Sequence, residues 1–389
     1  MNILFVSSSR TWGGGEVWLK QICESLLSRG HRIVVVCQQQ SLLFNALIGL
    51  DVETVGIKIS GDFDLFTISK LYHLIRSKKI ELVCTNMEKE FRLCSLAALL
   101  AKIPVTISRE VDLPIKDTFI NKLFYRRLAS GIMVNSYATY NSLLVSAPWL
   151  RDQKIEIVWK GIDTELYQPD IGVNLRKELH LTKDDCIAGF VGRLDEQKGI
   201  PTLLRSIKIA VEKESRLKFV FAGDGNLHTM IDNFVSDNNL KAHIFLLGFR
   251  SDIPAFLHGI DFLVMPSYWE GFGYTAVEAM AAGKPVIGTF TSSLPEIIEH
   301  ERTGILVPPR AMEELAEAIV RLGQNGALRQ NMGKAGLERA RKLFQLSGMV
   351  SKTELFFNDV CASYYSPDKQ SKYAGVTNPA ELSATMLNK

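Results

Sequence analysis

Short apolar runs separated by amphipathic stretches organise this chain from its first residue. In the first half they read ILFVSS, RIVVVCQ, ELVCTN, PVTIS, GIMVNS and KIEIVW; in the second, IAGFVG, LKFVFAG, HIFLLG, DFLVMP, KPVIGT and GILVPP. Each run is five to seven residues of mostly apolar, often β-branched or aromatic side chains, too short for a helix and apolar on both faces. Such runs predict strands buried on both sides. Between them lie segments of helical spacing, for example 17–29 closed by Gly30, and 94–101. Strands alternating with helices predict βαβ units and parallel sheets.

The pattern starts over after the turn-rich segment VWKGIDTELYQP, residues 158–169. With 389 residues there is room for two domains of ordinary size. The expectation is therefore two α/β units facing across a cleft: residues 1–165 and 166–345. A helix over 346–365 is expected to cross back to the first unit, followed by a flexible tail at 366–389. In open α/β sheets the carboxyl ends of the strands hold the ligand.

The chemistry concentrates in WEGFGYTAVEAMAA, residues 269–282. An apolar strand precedes it, two glycines form the turn, and a helix follows. Glycine lets backbone approach a ligand, and a helix N-terminus offers unpaired N–H groups and positive charge, which suits phosphate. Glu270 and Glu278 are separated by seven residues. A carboxylate beside a phosphate would repel it, so Glu278 is expected to accept hydrogen bonds from sugar or ribose hydroxyls. The alternative is a surface loop leading into an ordinary amphipathic helix.

A second strand-to-helix loop, FVGRLDEQKG, carries Arg193 and Lys198, both placed to reach a diphosphate. A third, TWGGGE, has Gly13, Gly14 and Gly15 where backbone could approach a phosphate or sugar. It is not a dinucleotide fingerprint: the GxGxxG spacing fails, and the second strand ends in three glutamines rather than an acidic residue.

The glutamate-seven-glutamate spacing resembles the signature of retaining glycosyltransferases of the GT-B fold, in particular glycosyltransferase family 4. The GRL…KG and GG-x-E segments resemble motifs of the same family. The resemblance covers roughly residues 1–355 and is densest over 189–309. It implies two Rossmann-like α/β/α domains, the first binding acceptor and the second a nucleotide-sugar. It implies that Glu278 holds the ribose, and that Glu270 with the backbone of Gly271, Phe272 and Gly273, continuing through Tyr274 and Thr275, holds the sugar and diphosphate. Arg193 and Lys198 would neutralise the leaving diphosphate. Arg250, in LGFR, falls beside the expected nucleobase and could stack on it or be an ordinary surface arginine.

The chain also departs from the family pattern. Lys160 stands where asparagine is usual in the NG(V/I)D segment. Serines replace the glycines of GG-x-PE before Glu296. Glu110 takes the place of a histidine near the reacting centre; it could orient the acceptor hydroxyl, assist its deprotonation, or form a salt bridge.

Many glycosyltransferases hold a divalent metal through Asp-x-Asp. Asp184-Asp185 are adjacent and Asp224 stands alone, so no such motif is expected in the chain, and the expected enzyme needs neither metal nor cofactor, with cations and a helix N-terminus in their place. The six cysteines lie mostly in apolar runs and are read as buried hydrophobes of a reducing compartment.

Net charge is only +3, so no nucleic-acid partner is expected. MNILFVSSS lacks the basic start and cleavage site of a signal peptide, and no apolar run approaches a membrane span. A cytoplasmic protein is expected; the basic, amphipathic 118–130 segment could lie on an anionic membrane surface or bring a lipid-linked acceptor to the cleft, but a core-packed helix with a solvated Lys/Arg face is the favoured reading. The first unit's bias, +4 over residues 1–165 against −1 over the remainder, points the same way but is too small to decide anything. The expected activity is transfer of a sugar from a nucleoside diphosphate to a glycan or lipid-linked acceptor in envelope polysaccharide assembly. Two alternatives keep the fold: an epimerase or hydrolase, and a non-catalytic nucleotide-sugar-binding partner.

Overall fold

The structure, a computed structural model, describes residues 1–59, 61–109, 114–167 and 175–366. Of the expected tail, 366–389, all but residue 366 lies outside the described residues, as does Glu110.

Seven strands form the first sheet: β1 (Asn2–Ser7), β2 (Arg32–Cys37), β3 (Glu53–Gly56), β4 (Leu82–Thr85), β5 (Val105–Arg109), β6 (Gly131–Val134) and β7 (Ile155–Ile157). Their order is 3-2-1-4-5-6-7. Six form the second: β8 (Cys186–Val191), β9 (Leu217–Ala222), β10 (Ile244–Leu246), β11 (Phe262–Met265), β12 (Val286–Thr289) and β13 (Gly304–Val307), in the order 10-9-8-11-12-13. Every pairing is parallel. That follows from the apolar runs: β1, β2, β4, β8 and β11 are buried almost throughout because helices cover both faces.

β3 is the strand the hydrophobic pattern does not predict. Its sequence, ETVG, is short, polar and only partly buried, as an edge strand can be.

In each sheet the chain winds outward one way and then reverses. The reversal falls between β1 and β4 in the first sheet and between β8 and β11 in the second. A reversal opens a crevice at the carboxyl ends of the two central strands. The loops beginning after β8 and β11 are the GRL…KG and WEGFG segments, so topology alone brings them to one crevice.

The helix Leu346–Tyr365 lies against the first sheet although it follows the second unit in sequence. Phe357 stacks near Phe5, with ring centroids 6.2 Å apart. Phe356 and Val360 fill the space a side chain at Gly131 would need. Glu354 pairs with Arg29 and His31 at 2.7 Å each, and Lys154 pairs with Asp359. The chain thus crosses between units twice. The crossings are stitched together where Ile162 N–H donates to Phe344 O (2.8 Å) and Leu346 N–H donates to Ile162 O (2.9 Å).

The six cysteines form no disulfide; five are buried and Cys361 is partly so. Among the described residues no helix is long and apolar enough to cross a membrane.

Candidate active site

Lys198 and Glu270 form the centre of the second crevice. Lys198 Nζ lies 2.6 Å from Glu270 Oε1, and Ser267 Oγ donates to the same oxygen at 2.6 Å. Glu270 is 5% exposed. A carboxylate so far from water is sustained by a cation and a hydroxyl on one oxygen.

The two loops are also joined through backbone. Tyr268 N–H donates to Gln197 O (2.8 Å), and Gln197 Nε2 donates to Trp269 O (3.2 Å). Gly199 has φ 71°, and a Cβ there would sit 2.0 Å from Pro266 O. Gly199→Ala should therefore cost more than the ~1–3 kcal/mol of a strained backbone conformation. Gly49→Ala is the control, because Gly49 has φ 90° and open space around it. A melting temperature lowered equally by both substitutions would show that loop closeness carries no energy.

Arg193 stands at the rim. It donates to Gln197 Oε1 (2.8 Å) and pairs with Asp195 (2.9 Å), yet 69% of its side chain is exposed, so it can turn toward an anion.

Past Glu270, Phe272 is buried against Tyr274 and Phe344, and Gly273 takes φ 94°, ψ 48° to start the helix Tyr274–Ala281. Among the described residues no side chain caps that helix at Gly273, and its first turn holds no acidic residue to offset the positive end of its dipole.

Glu278 lies one turn further on and accepts a hydrogen bond from the Tyr167 hydroxyl at 2.9 Å. Burial raises the Glu278 pKa above the ordinary carboxylate range, partly offset by this bond. The same burial, with Glu278 beside it, pushes the Tyr167 phenol well up. The hinge segment was legible as a turn, but not as the support of this carboxylate.

The first unit meets this crevice at its glycine loop. Gly13 caps the helix Gly14–Ser28, and its N–H donates to Glu16 Oε2 at 3.0 Å. A Cβ on Gly14 would lie 3.4 Å from the Tyr274 ring. The loops after β1 and β11 are therefore in contact across the cleft.

Two sequence expectations require correction. The Arg250 guanidinium is not an ordinary surface arginine: it is held in its plane by Asp252 (2.6 and 2.9 Å) and Glu178 (2.7 Å), leaving 13% of the side chain exposed. Its neighbour Phe249 is 83% exposed. An Asp-x-Asp triplet does occur, Asp62-Phe63-Asp64, but in the first unit and already committed. Asp62 pairs with Arg92, and Asp64 caps the helix Leu65–Ser77, accepting from Phe66 N–H and Thr67 N–H.

Sequence reasoning passed over Glu90. It is fully buried at the reversal of the first sheet and accepts from the N–H groups of Ser8, Asn86 (3.2 Å) and Met87 (3.0 Å). It ties the ends of β1 and β4 together, and burial lifts its pKa to about 7. Its signal was a glutamate three residues into a helix, a capping pattern.

Two family models match the chain: Glycosyltransferase Family 4 over residues 12–166 and Glycosyl transferases group 1 over residues 174–339. An uncharacterized glycosyltransferase of Methanocaldococcus jannaschii is 37% identical over 225 residues, 57% of this chain and 61% of that protein. A UDP-Gal:alpha-D-GlcNAc-diphosphoundecaprenol alpha-1,3-galactosyltransferase of Escherichia coli is 28% identical over 71% of this chain and 75% of its own length. Among solved structures, Anabaena Alr3699/HepE in complex with UDP superposes with TM-score 0.82 at 21% identity, covering 92% of this chain and all of that one. A Rickettsia africae glycosyltransferase superposes with TM-score 0.85 at 18% identity, covering 92% and 98%. The structural likenesses establish the two-unit GT-B architecture.

Proposed function

We propose, on the premise that this chain belongs to the group 1 glycosyltransferases of family 4, that it moves a sugar from a uridine diphosphate donor to a glycan or lipid-linked acceptor, with retention of configuration and without a divalent metal. The observation that carries this reading is the Lys198–Glu270 pair beside the open N-terminus of the helix Tyr274–Ala281, at the reversal point of the second sheet.

Breaking the bond between sugar and diphosphate leaves extra negative charge on the phosphate oxygens. Lys198, Arg193 and the N–H groups from Gly273 onward place positive charge at one crevice, and fixed charge of this kind lowers the barrier. Metal independence rests on that supply of cations. Glu270, with Ser267, suits the transferred sugar, whose hydroxyls can donate to its second oxygen. Glu278 suits the ribose.

In a retaining transfer the acceptor hydroxyl attacks the face from which the diphosphate departs. Its proton passes to a phosphate oxygen as the bond to C1 lengthens, and the sugar passes through an oxocarbenium-like state. The uridine assignment draws on the UDP bound by Alr3699/HepE and the UDP-Gal named for the E. coli relative. The envelope role draws on that enzyme's diphosphoundecaprenol acceptor and on a Staphylococcus aureus capsular polysaccharide glycosyltransferase that is 26% identical.

An acceptor carried by lipid suits the first unit's surface. Leu65, Phe66, Phe119 and Ile120 are exposed at helix starts, with Lys70 Nζ 4.2 Å over the Phe66 ring.

Thermal shift against UDP, GDP, ADP, CDP and TDP, with chelator present, tests the donor. UDP should stabilise the protein by about 2.7 kcal/mol at a hundredfold excess over Kd. Silence from all five would contradict the reading, and a response restored only by a divalent ion would contradict its metal-free part. Glu278→Ala should weaken UDP about tenfold to a hundredfold, because a hydrogen bond to a charged group is worth roughly 1.5–3 kcal/mol. In the wild type UDP affinity should fall as pH drops through the raised Glu278 pKa, since only the ionised carboxylate accepts from both ribose hydroxyls. An unchanged Kd in the variant would remove Glu278 from the ribose site.

A further inference from the structure

We propose that Glu296 is a positioning residue: a carboxylate on the second unit that holds the first unit at the angle transfer requires, and so governs turnover rather than donor binding.

Three donors from the first unit and the hinge converge on this one side chain. Ala138 N–H donates to Oε1 at 2.7 Å, Tyr137 N–H to Oε2 at 2.8 Å, and Trp159 Nε1–H to Oε2 at 3.1 Å. The two amides are the first of the helix Tyr137–Ser146. Ser136 Oγ takes a third amide, that of Thr139, at 3.0 Å. Local sequence thus caps part of this helix, and the other unit supplies the rest. A carboxylate at that end also meets the favourable pole of the helix.

The same segment supports the donor turn from behind. Ser293 Oγ donates to Phe272 O at 2.6 Å, and Leu294 would lie 3.0 Å from a Cβ on Gly273. Arg339 fixes the segment by donating to the carbonyls of Glu296 (2.7 Å) and Ile297 (2.8 Å). A run of rings follows the same path. Tyr137 to Trp159 is 6.1 Å between centroids, Trp159 to Phe344 5.6 Å, Phe344 to Phe272 5.9 Å, and Phe272 to Tyr274 5.7 Å.

The turn that would grip the diphosphate and the clamp on the first unit are therefore one packed body. Bond formation across the cleft needs the acceptor oxygen within reach of the sugar carbon, and a misplacement of about 1 Å can cost ~10²-fold in rate. Both Glu296 oxygens are taken by these three donors, so its effect should appear in kcat alone. This inference rests on the proposed transfer across the cleft.

The test uses full-length protein with Glu296→Ala, Glu296→Gln and Trp159→Phe. Each is read three ways: UDP affinity by calorimetry, kcat for transfer, and the separation of spin labels placed one on each unit. Glu296→Ala should lower kcat about tenfold to a hundredfold, leave Kd for UDP within about threefold, and broaden the label distance. Glu296→Gln should recover part of the loss, because its remaining oxygen still accepts from an amide. Combining Glu296→Ala with Trp159→Phe should add little to Glu296→Ala alone, because both remove one interaction. An unchanged label distance would overturn the proposal whatever the activity, and so would UDP affinity falling in step with kcat. A wild type that transfers nothing while Glu296→Ala still broadens the distance would sink the proposed reaction and leave the clamp standing.

Discussion

Lys198→Ala should lower kcat for sugar transfer by about 10²–10³-fold and leave Kd for the intact nucleotide-sugar within about threefold. The asymmetry follows from where the cation sits. Its Nζ is held by Glu270 at 2.6 Å, and 17% of its side chain is exposed. Before reaction Lys198 is neutralised by that carboxylate, so a bound diphosphate gains little from it. Once the bond to the sugar breaks, the phosphate oxygens carry more charge and the cation is worth more to them. Removing it also strands a carboxylate that is 5% exposed, which costs roughly 3–5 kcal/mol when a buried pair is broken. The melting temperature must therefore be read beside the rates. A loss of nucleotide-sugar affinity as large as the loss in kcat would make Lys198 a ground-state contact.

Glu270→Gln should produce the complementary pattern. Gln keeps the shape and one acceptor oxygen, so the bond from Ser267 Oγ can persist, but the charge that pairs Lys198 is gone. The transferred sugar loses its strongest hydrogen-bond acceptor, and charge developing at C1 loses a nearby anion. kcat/KM for the nucleotide-sugar should fall by about 10²–10³-fold while Kd for UDP, which has no sugar, is unchanged or tighter. Equal weakening of UDP and the nucleotide-sugar would place Glu270 on the diphosphate rather than on the sugar.

The parts of the fold and site legible in the sequence were those set by local pattern. Strands covered on both faces appear as unbroken apolar runs, which is why all six of the second sheet could be read. β3 could not, because an edge strand such as Glu53–Gly56 needs few apolar side chains. The glycine turns at 199 and 273 were visible because close backbone approach and positive φ demand glycine.

What stayed hidden depended on residues distant in sequence. Glu178 meets Arg250 from 72 positions away and, with Asp252, ties its guanidinium in place. Tyr167 reaches Glu278 across 111 positions, and Glu296 reaches Tyr137 across 159. Glu90 illustrates a milder case: its helix-start position predicts a cap, but not its bond to Ser8, just past the end of β1. Asp62-Phe63-Asp64 shows the opposite error, a metal-like spacing whose carboxylates fold onto an arginine and a helix end.

The most direct test of the central claim is the anomeric configuration of the product. The protein is incubated with an α-linked uridine diphosphate sugar, a polyprenyl-diphosphate-linked sugar acceptor and excess chelator, and the new linkage is read by its proton coupling constant. An α-linkage formed at full rate under chelator is the predicted result. A β-linkage, or transfer that appears only when a divalent ion is returned, would contradict the account.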